Sequence, residues 1–244
     1  MIKSWFNNNK LYNKTSFLTQ LYVAQTEWDN VGILIDTGSQ NKNLLLTIDV
    51  TDEVIEECLD KNITNIVAYH PVIFSGIKKI QSSDIVAKLF KYRINVFCPH
   101  TSWDPTINRY IYTIFNNRPF IGNSGPNYWS IREVIGELKS RTGVKYLRVG
   151  LGKKHGLDTV PVSMVVGVGA AFKYHKYKNC VIITGEMTHH VILHSVRNNN
   201  TVIILEHSDS ERVALNYFWK VLCRVFPDYN VVLSQADRDP IKIY

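Results

Sequence analysis

The strongest constraint on the fold is an apolar run at residues 65–70, Asn-Ile-Val-Ala-Tyr-His, that is followed at once by Pro71. The run has the length and composition of a buried strand, and Pro71 ends it because proline has no N–H to give to a sheet. Tyr69 and His70 therefore come at the carboxyl end of this strand. Ligands of open α/β sheets bind at that edge, so the run predicts both a parallel sheet and the place of a site.

Similar apolar runs alternate with helix-like segments along the chain. Thr51 is a candidate N-cap for a helix that continues to about Lys61, and the strand at 65–70 follows directly. Strand, helix and strand joined by short connections are typical of parallel α/β units. An amphipathic helix is also expected near residues 17–24. The predicted strands are 33–36, 43–50, 65–70, 94–98, 145–149, 163–169, 181–185, 201–205 and 231–233.

The periodic pattern lapses between Asn116 and Asn127, where asparagine, glycine and proline are frequent. Such composition marks a loop, and we place a boundary there. The prediction is an α/β fold of two halves. Residues 1–120 form the first, which the C-terminal segment could complete, and residues 121–244 form the second.

Composition limits the class of protein. The 244 residues carry a net charge of +7, which favours anionic small substrates, but the charge is scattered and we do not expect nucleic acid as a partner. No apolar run is long enough to cross a membrane. The four cysteines form no C-x-x-C pair and fit a reducing compartment. We expect a cytoplasmic protein; a mitochondrial one is less favoured, because the lysine-bearing, acid-free N-terminus contains no arginine.

The histidines are concentrated where strands end. Five of the eight lie at or just after the carboxyl ends of predicted strands: His70, His100, His189, His190 and His207. In addition, Asp104 follows His100 by four residues and Glu211 follows His207 by four. Residues four apart share a face of a helical turn, so each pair could reach one ion. Imidazole and carboxylate ligands suit zinc, iron, manganese or nickel. Three histidines and two acids are about the number of ligands that two ions need: His70, His100, His207, Asp104 and Glu211.

Each of these residues also has an ordinary structural interpretation. Asp104 before Pro105 could be an N-cap, and Glu211 could be a first-turn acid that the helix dipole stabilises. A single histidine near a strand end is most often a hydrogen-bonded structural residue, and we assign His155 and His175 to that class. The coincidence of pairs at several strand ends favours a shared metal site.

Glu186, His189 and His190 form a second group after the strand at 181–185. Gly185 permits a tight turn from strand to helix there, and a helix start favours an anionic ligand. All three residues of this group are second-tier candidates for the same site, and His190 could in principle also form a metal pair with His194, four residues later. His194 is interpreted as a packing or hydrogen-bonding residue of a largely buried helix.

Five segments resemble, in order and spacing, the motifs of the Nif-three-like proteins, which are also identified as GTP cyclohydrolase I type 2 homologues. The resemblance covers residues from about 15 to 233. The segments are Trp28-Asp-Asn-Val-Gly32, Tyr69-His-Pro-Val-Ile-Phe74, His100-Thr-Ser-Trp-Asp104, Gly185-Glu-Met-Thr-His-His190 and His207-Ser-Asp-Ser-Glu211.

The resemblance implies two similar, intertwined α/β halves, a dinuclear metal centre in a cleft between them, and a ring-shaped homo-hexamer. The ligands that it implies for the two divalent ions are His70, His100, Asp104, His207 and Glu211. Glu186, His189 and His190 would line the cleft, and in a hydrolase Glu186 or His190 would shuttle protons.

Tyr69 departs from the pattern of many bacterial members, which have a second histidine at this position. Because a phenol ordinarily has a pKa near 10, it binds an ion only if that ion lowers the value strongly. One of the two ions could therefore be held more weakly than the other.

The expected function is that of a metal-dependent hydrolase acting on a nucleotide or another small phosphorylated or heterocyclic compound. The alternative is a metal-binding oligomeric scaffold or regulator that binds protein partners without catalysis. The residues alone do not decide between them.

Overall fold

The computed structural model describes residues 24–115, 124–173 and 175–242. The helix predicted from Phe17 onward falls outside this part of the chain. The chain divides into two compact units, the first made of residues 1–103 and 215–244 and the second of residues 104–214. The first unit thus takes segments from both ends of the chain, whereas the second is continuous in sequence.

Strands and helices alternate through both units, as the apolar pattern predicts. In chain order they are β1 (Gly32–Ile35), β2 (Asn43–Thr47), α1 (Asp52–Asp60), β3 (Asn65–Ala68), α2 (Ile85–Lys91), β4 (Asn95–Cys98), α3 (Asp104–Thr113), β5 (Ser124–Pro126), α4 (Ile131–Thr142), β6 (Arg148–Gly150), β7 (Ser163–Gly167), β8 (Cys180–Thr184), α5 (His189–Arg197), β9 (Thr201–Ile204), α6 (His207–Arg212), α7 (Leu215–Val225) and β10 (Asn230–Leu233). A 3-10 helix at His100–Ser102 follows β4. Strand β5 was not predicted, because it lies in the stretch that the sequence marks as a loop.

The first unit contains a five-stranded sheet in the order β1-β4-β3-β2-β10. Strands β4, β3, β2 and β10 are parallel, and β1 is antiparallel to β4. The C-terminal strand β10 pairs with β2 because Val231 to Leu233 form a continuous apolar run in register with Leu44 to Leu46. One core of this unit joins α1 and α2 to the sheet, with Val54, Leu89 and Ile66 among its buried residues.

Helix α7 belongs to the same unit and packs on β2 and β10. Phe218 of this helix stacks on Trp103, with ring centroids 3.8 Å apart and planes inclined by 11°. Both side chains are buried. The stacked pair fixes the chain directly after the segment that carries His100.

The second unit contains a five-stranded sheet in the order β5-β7-β8-β9-β6. Strands β7, β8 and β9 are parallel, and each edge strand is antiparallel to its neighbour. Helix α4 is capped at both ends: Ser130 and Glu133 form a reciprocal capping box, and Gly143 ends the helix in the left-handed region, with φ at 77°. The predicted α/β architecture of two sheets with flanking helices is thus present.

Within the described residues, none of the helices has both the length and the apolar character that a membrane crossing requires.

Candidate metal centre

In the first unit, the parallel strands end beside one another and bring four polar side chains to one edge. Strand β3 ends at Ala68, yet Tyr69 and His70 continue to pair with the preceding strand through backbone bonds to the carbonyls of Thr47 and Ile48. This pairing places His70 beside Asp49. The Nδ1 atom of His70 lies 2.8 Å from Oδ1 of Asp49, whose side chain is 37% exposed.

His100 lies at the end of the neighbouring strand β4 and has a carboxylate partner of its own. Its Nδ1 atom is 2.6 Å from Oδ1 of Asp29. The side chain of Asp29 is 0% exposed, and that of His100 is 13% exposed. Asp29 comes from the turn that precedes β1, so residues distant in sequence meet at this edge.

The imidazoles of His70 and His100 meet edge to face, with centroids 5.6 Å apart and planes inclined by 67°. The ring of Tyr69 lies 5.1 Å from His70 and 5.5 Å from His100. The rings of Trp28 and Phe74 each lie 6.2 Å from His100. Tyr69 is buried, whereas Trp28 and Phe74 are exposed. The two histidines thus share a small aromatic environment.

The second unit has its own group of an imidazole with two carboxylates. Glu186 follows the end of β8, and His207 and Glu211 lie four residues apart on α6. The Nδ1 atom of His207 is 3.3 Å from Glu186 Oε1, and its Nε2 atom is 3.1 Å from Glu211 Oε1. The side chain of Glu211 is 3% exposed. This imidazole therefore lies between two carboxylates.

These carboxylates determine the charge of His207 in the metal-free protein. The hydrogen bond to Glu211 raises the pKa of His207 most; burial lowers the pKa, and Glu186 raises it further, to about 9 in all. The site thus holds a positive charge between Glu186 and Glu211 at neutral pH. A metal cation could take the place of that proton.

Glycines allow the backbone to approach Glu211 closely. A Cβ atom on Gly169, whose φ is +56°, would lie 2.7 Å from Glu211 Oε1 and 3.4 Å from the His207 ring. A Cβ atom on Gly185 would lie 2.5 Å from Ser210 Oγ. Any other residue at either position would displace the backbone or the side chains of this group.

The residue before His207 has a backbone conformation that is rare outside glycine. Glu206 has φ at 74° and ψ at 152°. Its carboxylate receives two hydrogen bonds from Arg148, at 2.6 and 2.8 Å. Strained backbone of this kind is concentrated at functional sites, and here it sets the direction in which α6 leaves β9.

Three further predicted site residues lie at or near the starts of helices of the second unit: Asp104, His189 and His190. Asp104 is the first residue of α3 in the second unit. His189 and His190 are exposed in the first turn of α5, with ring centroids 5.5 Å apart. The roles of His189 and His190 stay predictions. The same holds for the ligand roles of His70, His100, Asp104, His207 and Glu211.

The three histidines interpreted as structural do make structural hydrogen bonds. His155 contacts Thr201 Oγ1 and Asn179 Oδ1, both at 2.9 Å. His175 Nε2 contacts Ser195 Oγ at 2.9 Å, and His194 Nε2 contacts the carbonyl of His175 at 2.9 Å. These assignments are confirmed.

Sequence reasoning missed the two aspartates that contact the histidines. In the sequence, Asp29 stands only within the segment Trp28–Gly32 without a role of its own, and Asp49 is not among the candidate site residues. A signal was present for Asp49, because it follows the end of β2 by two residues just as the histidines follow their strands. For Asp29 the signal was weaker, since it precedes β1 rather than following a strand.

Comparison with known proteins agrees with this architecture. The Staphylococcus aureus hypothetical protein SA1388 superimposes with a TM-score of 0.79 at 20% identity, covering 94% of this chain and 96% of that one. NIF3-like protein 1 of Drosophila melanogaster is 32% identical over 88% of this chain and 82% of its own. NGG1-interacting factor 3 of Saccharomyces cerevisiae is 30% identical over 94% of both chains.

A Clostridium perfringens protein named GTP cyclohydrolase 1 type 2 homolog is 26% identical over 88% of this chain and 91% of its own. The family model Duf34/NIF3 (NGG1p interacting factor 3) matches residues 9–240. The chain belongs to the Duf34/NIF3 family.

Proposed function

We propose that this protein binds two divalent metal ions and hydrolyses a nucleotide or another small phosphorylated or heterocyclic compound. The ions would be zinc, iron, manganese or nickel. The proposed ligands are His70, His100, Asp104, His207 and Glu211.

The observation that carries the proposal is the meeting of His70 and His100 at the ends of adjacent strands, with ring centroids 5.6 Å apart. Two imidazoles at this separation could bind one ion or two neighbouring ions. The second unit supports the proposal because Glu211 and His207 put a buried carboxylate and an imidazole side by side.

The donor atoms available fit the metals named. Imidazole nitrogen and carboxylate oxygen suit zinc, iron, manganese and nickel. Cys98, at the end of β4, does not offer a thiolate beside His70 and His100, because it is buried and donates its S–H to the carbonyl of Tyr69 at 3.1 Å. Burial raises the pKa of this thiol.

The side chains of the site would bind the substrate and move protons. A bound pair of such ions makes water more acidic and polarises the substrate. Glu186, which is 51% exposed and contacts His207, is the first candidate for moving a proton to or from the substrate. His190, exposed in the first turn of α5, is the second candidate for this role. The net charge of +7 favours an anionic substrate. The name of the Clostridium perfringens relative supports a nucleotide.

The test combines elemental analysis with turnover. Wild-type protein should carry about two ions per chain and release product from at least one member of a nucleotide panel that includes GTP. His100→Ala should lose both properties. His155→Gln is the matched control, because it removes a histidine that bonds to Thr201 and Asn179 instead. Fully loaded protein that turns over no member of the panel would refute the hydrolase.

A second candidate function is a metal-binding scaffold or regulator without catalysis. It is favoured by the name of the yeast relative, NGG1-interacting factor 3, which refers to a protein partner. In that case His100→Ala would abolish metal binding and a partner interaction, while no nucleotide would be turned over by either protein. For both functions we propose a cytoplasmic protein that assembles into a homo-hexamer. Light scattering on the purified chain would test the number of subunits.

A further inference from the structure

Asp29 forms a carboxylate–imidazole contact whose chemistry determines the tautomer of His100. The Nδ1 atom of His100 lies 2.6 Å from Asp29 Oδ1. An ionised carboxylate only accepts hydrogen bonds, so Nδ1 must carry the proton. In the neutral imidazole the lone pair then lies on Nε2, which is the atom that a metal ion would need.

Asp29 is itself held by donors on both of its oxygens. Its Oδ1 atom accepts from the backbone N–H of Asn30 at 2.8 Å. Its Oδ2 atom accepts from the backbone N–H of Thr101 at 3.2 Å and from the Thr101 hydroxyl. The Thr101 hydroxyl in turn accepts from the N–H of Gln25 at 3.0 Å. Because the side chain is fully buried, this network fixes the orientation of the carboxylate.

The same contacts hold an uncommon backbone conformation. His100 has φ at 32°, in the left-handed region that side-chain-bearing residues rarely adopt. The bond from Thr101 N–H to Asp29 ties down the peptide that directly follows His100. Asp29 therefore constrains both the main chain and the ring of residue 100.

Asp49 makes the corresponding contact with His70 in a more open setting. The Nδ1 atom of His70 is 2.8 Å from Asp49 Oδ1, and the Asp49 side chain is 37% exposed, against 0% for Asp29. Solvent competes for an exposed carboxylate and weakens its hold on the ring.

We propose that Asp29 is a positioning residue that fixes His100 as an Nδ1–H tautomer with Nε2 directed to a metal ion, and that Asp49 does the same for His70 with less constraint. The inference rests on the proposed metal centre. It names residues that act through the ligands rather than on the substrate. Contacts of this kind commonly contribute 10- to 100-fold to metal affinity. Because the Asp29 side chain is buried and that of Asp49 is more exposed, we expect Asp29 to contribute more than Asp49.

Asparagine at position 29 would disturb the contact in either orientation of its amide. If the NH₂ group took the place of Oδ1, it would face Nδ1 of His100, which would then have to accept and leave its proton on Nε2. If the NH₂ group took the place of Oδ2, it would oppose the N–H of Thr101 and displace the backbone beside His100. Both outcomes weaken a metal ligand.

The experiment reads the tautomer and the metal affinity separately. Long-range ¹H–¹⁵N spectra of the metal-free full chain report which ring nitrogen of His100 and His70 carries the proton. Zinc affinity is measured by competition with a chromogenic chelator. We expect the Nδ1–H form in wild type, a smaller Nδ1–H fraction in Asp29→Asn, and zinc binding weakened about 10- to 100-fold. Asp49→Asn should weaken zinc binding less.

Asp36→Asn is the matched control. Asp36 is exposed in the same unit, and its carboxylate accepts from the N–H of Gly38 rather than from a histidine. It should change neither the tautomers nor the zinc affinity. If Asp29→Asn does not fold, Asp49→Asn carries the test, because its more exposed site tolerates the change.

Two results would overturn the proposal: a wild-type His100 that carries its proton on Nε2, or an Asp29→Asn protein whose tautomer and zinc affinity both equal those of wild type. Failure of the proposed function looks different. Zinc binding without nucleotide turnover would refute the hydrolase and leave the role of Asp29 standing. A wild type that binds no zinc would refute the metal centre, whereas the metal-free spectra would still show the tautomer.

Discussion

Replacing Glu57 with glutamine should remove a pH-dependent part of the stability of the first unit. Glu57 lies in α1 with its side chain 7% exposed. It accepts from Lys61 Nζ at 2.5 Å, from Ser234 Oγ at 2.6 Å, and from the backbone N–H groups of Gln235 and Ala236 at 3.0 and 3.1 Å. The carboxylate thus ties α1 to the segment that follows β10.

The size of the effect follows from the pKa of Glu57. Burial by itself raises this pKa, but the hydrogen bonds from Lys61, Ser234, Gln235 and Ala236 outweigh it and lower the pKa from 4.5 to about 2. Between these values the unfolded chain binds a proton that the folded chain does not, so acid favours unfolding. At about 1.4 kcal/mol for each pH unit, the carboxylate contributes about 3 kcal/mol to the free energy of unfolding. This is an upper figure, because Lys61 is 41% exposed and solvent screens its charge.

The contribution is fully present above pH 4.5 and is lost as the pH falls toward about 2. Urea unfolding of wild type and Glu57→Gln over this range measures it. The variant should be less stable at neutral pH, and the difference should shrink as the pH falls from 4.5. Amide exchange at Gln235 and Ala236 should accelerate in the variant.

The neighbouring change Glu56→Gln is the control, because Glu56 is exposed on the same helix. It should leave the profile close to that of wild type. If the curves of wild type and Glu57→Gln run parallel from neutral pH to pH 2, the reasoning about this carboxylate is refuted.

Three further results are expected from the second unit. Glu206→Gly should be more stable than Glu206→Ala by about 1 kcal/mol in thermal unfolding, because only glycine adopts φ 74° and ψ 152° without strain; equal melting temperatures would contradict this. In the metal-free protein, the hydrogen bonds of His207 should stabilise wild type relative to His207→Gln below pH 6.5, and this advantage should disappear as the pH rises to about 9. Gly169→Ala should weaken zinc binding, because the new Cβ would lie 2.7 Å from Glu211 Oε1. The control is Gly136→Ala, which has open space in helix α4; it should keep its zinc affinity and raise the free energy of unfolding by about 0.5 to 1 kcal/mol. Similar zinc affinities for the two alanine variants would count against the close approach of Gly169 to Glu211.

The strands and their alternation with helices could be predicted because the signal for a buried parallel strand lies within a few consecutive residues. That signal is a short apolar run with a polar end. The run at 65–70 shows how far this goes: the strand, its stop near Pro71 and the position of His70 at its end all agree with the structure. The partners of a strand are not local information. That β10 joins the sheet beside β2 depends on contacts between segments almost 190 residues apart, which no periodicity reveals.

The same distinction applies to the site. His207 and Glu211 could be paired from their spacing because both lie on one helical turn, and their atoms do approach to 3.1 Å. Asp29 and His100 are separated by 71 residues and meet only because β1 pairs with β4. Spacing finds partners within one element, but the carboxylates that support the histidines come from other elements of the sheet.

The discontinuous first unit has a consequence for synthesis. Residues 104–214 leave the ribosome before β10 does, so the second unit can fold while the first still lacks a strand. Asp237, just after β10, accepts from the N–H of Ile48 at 2.8 Å, next to the Asp49 that contacts His70. The edge of the sheet that carries His70 is therefore completed by residues that are translated after the whole second unit, and a nascent chain cannot assemble that edge until they have left the ribosome.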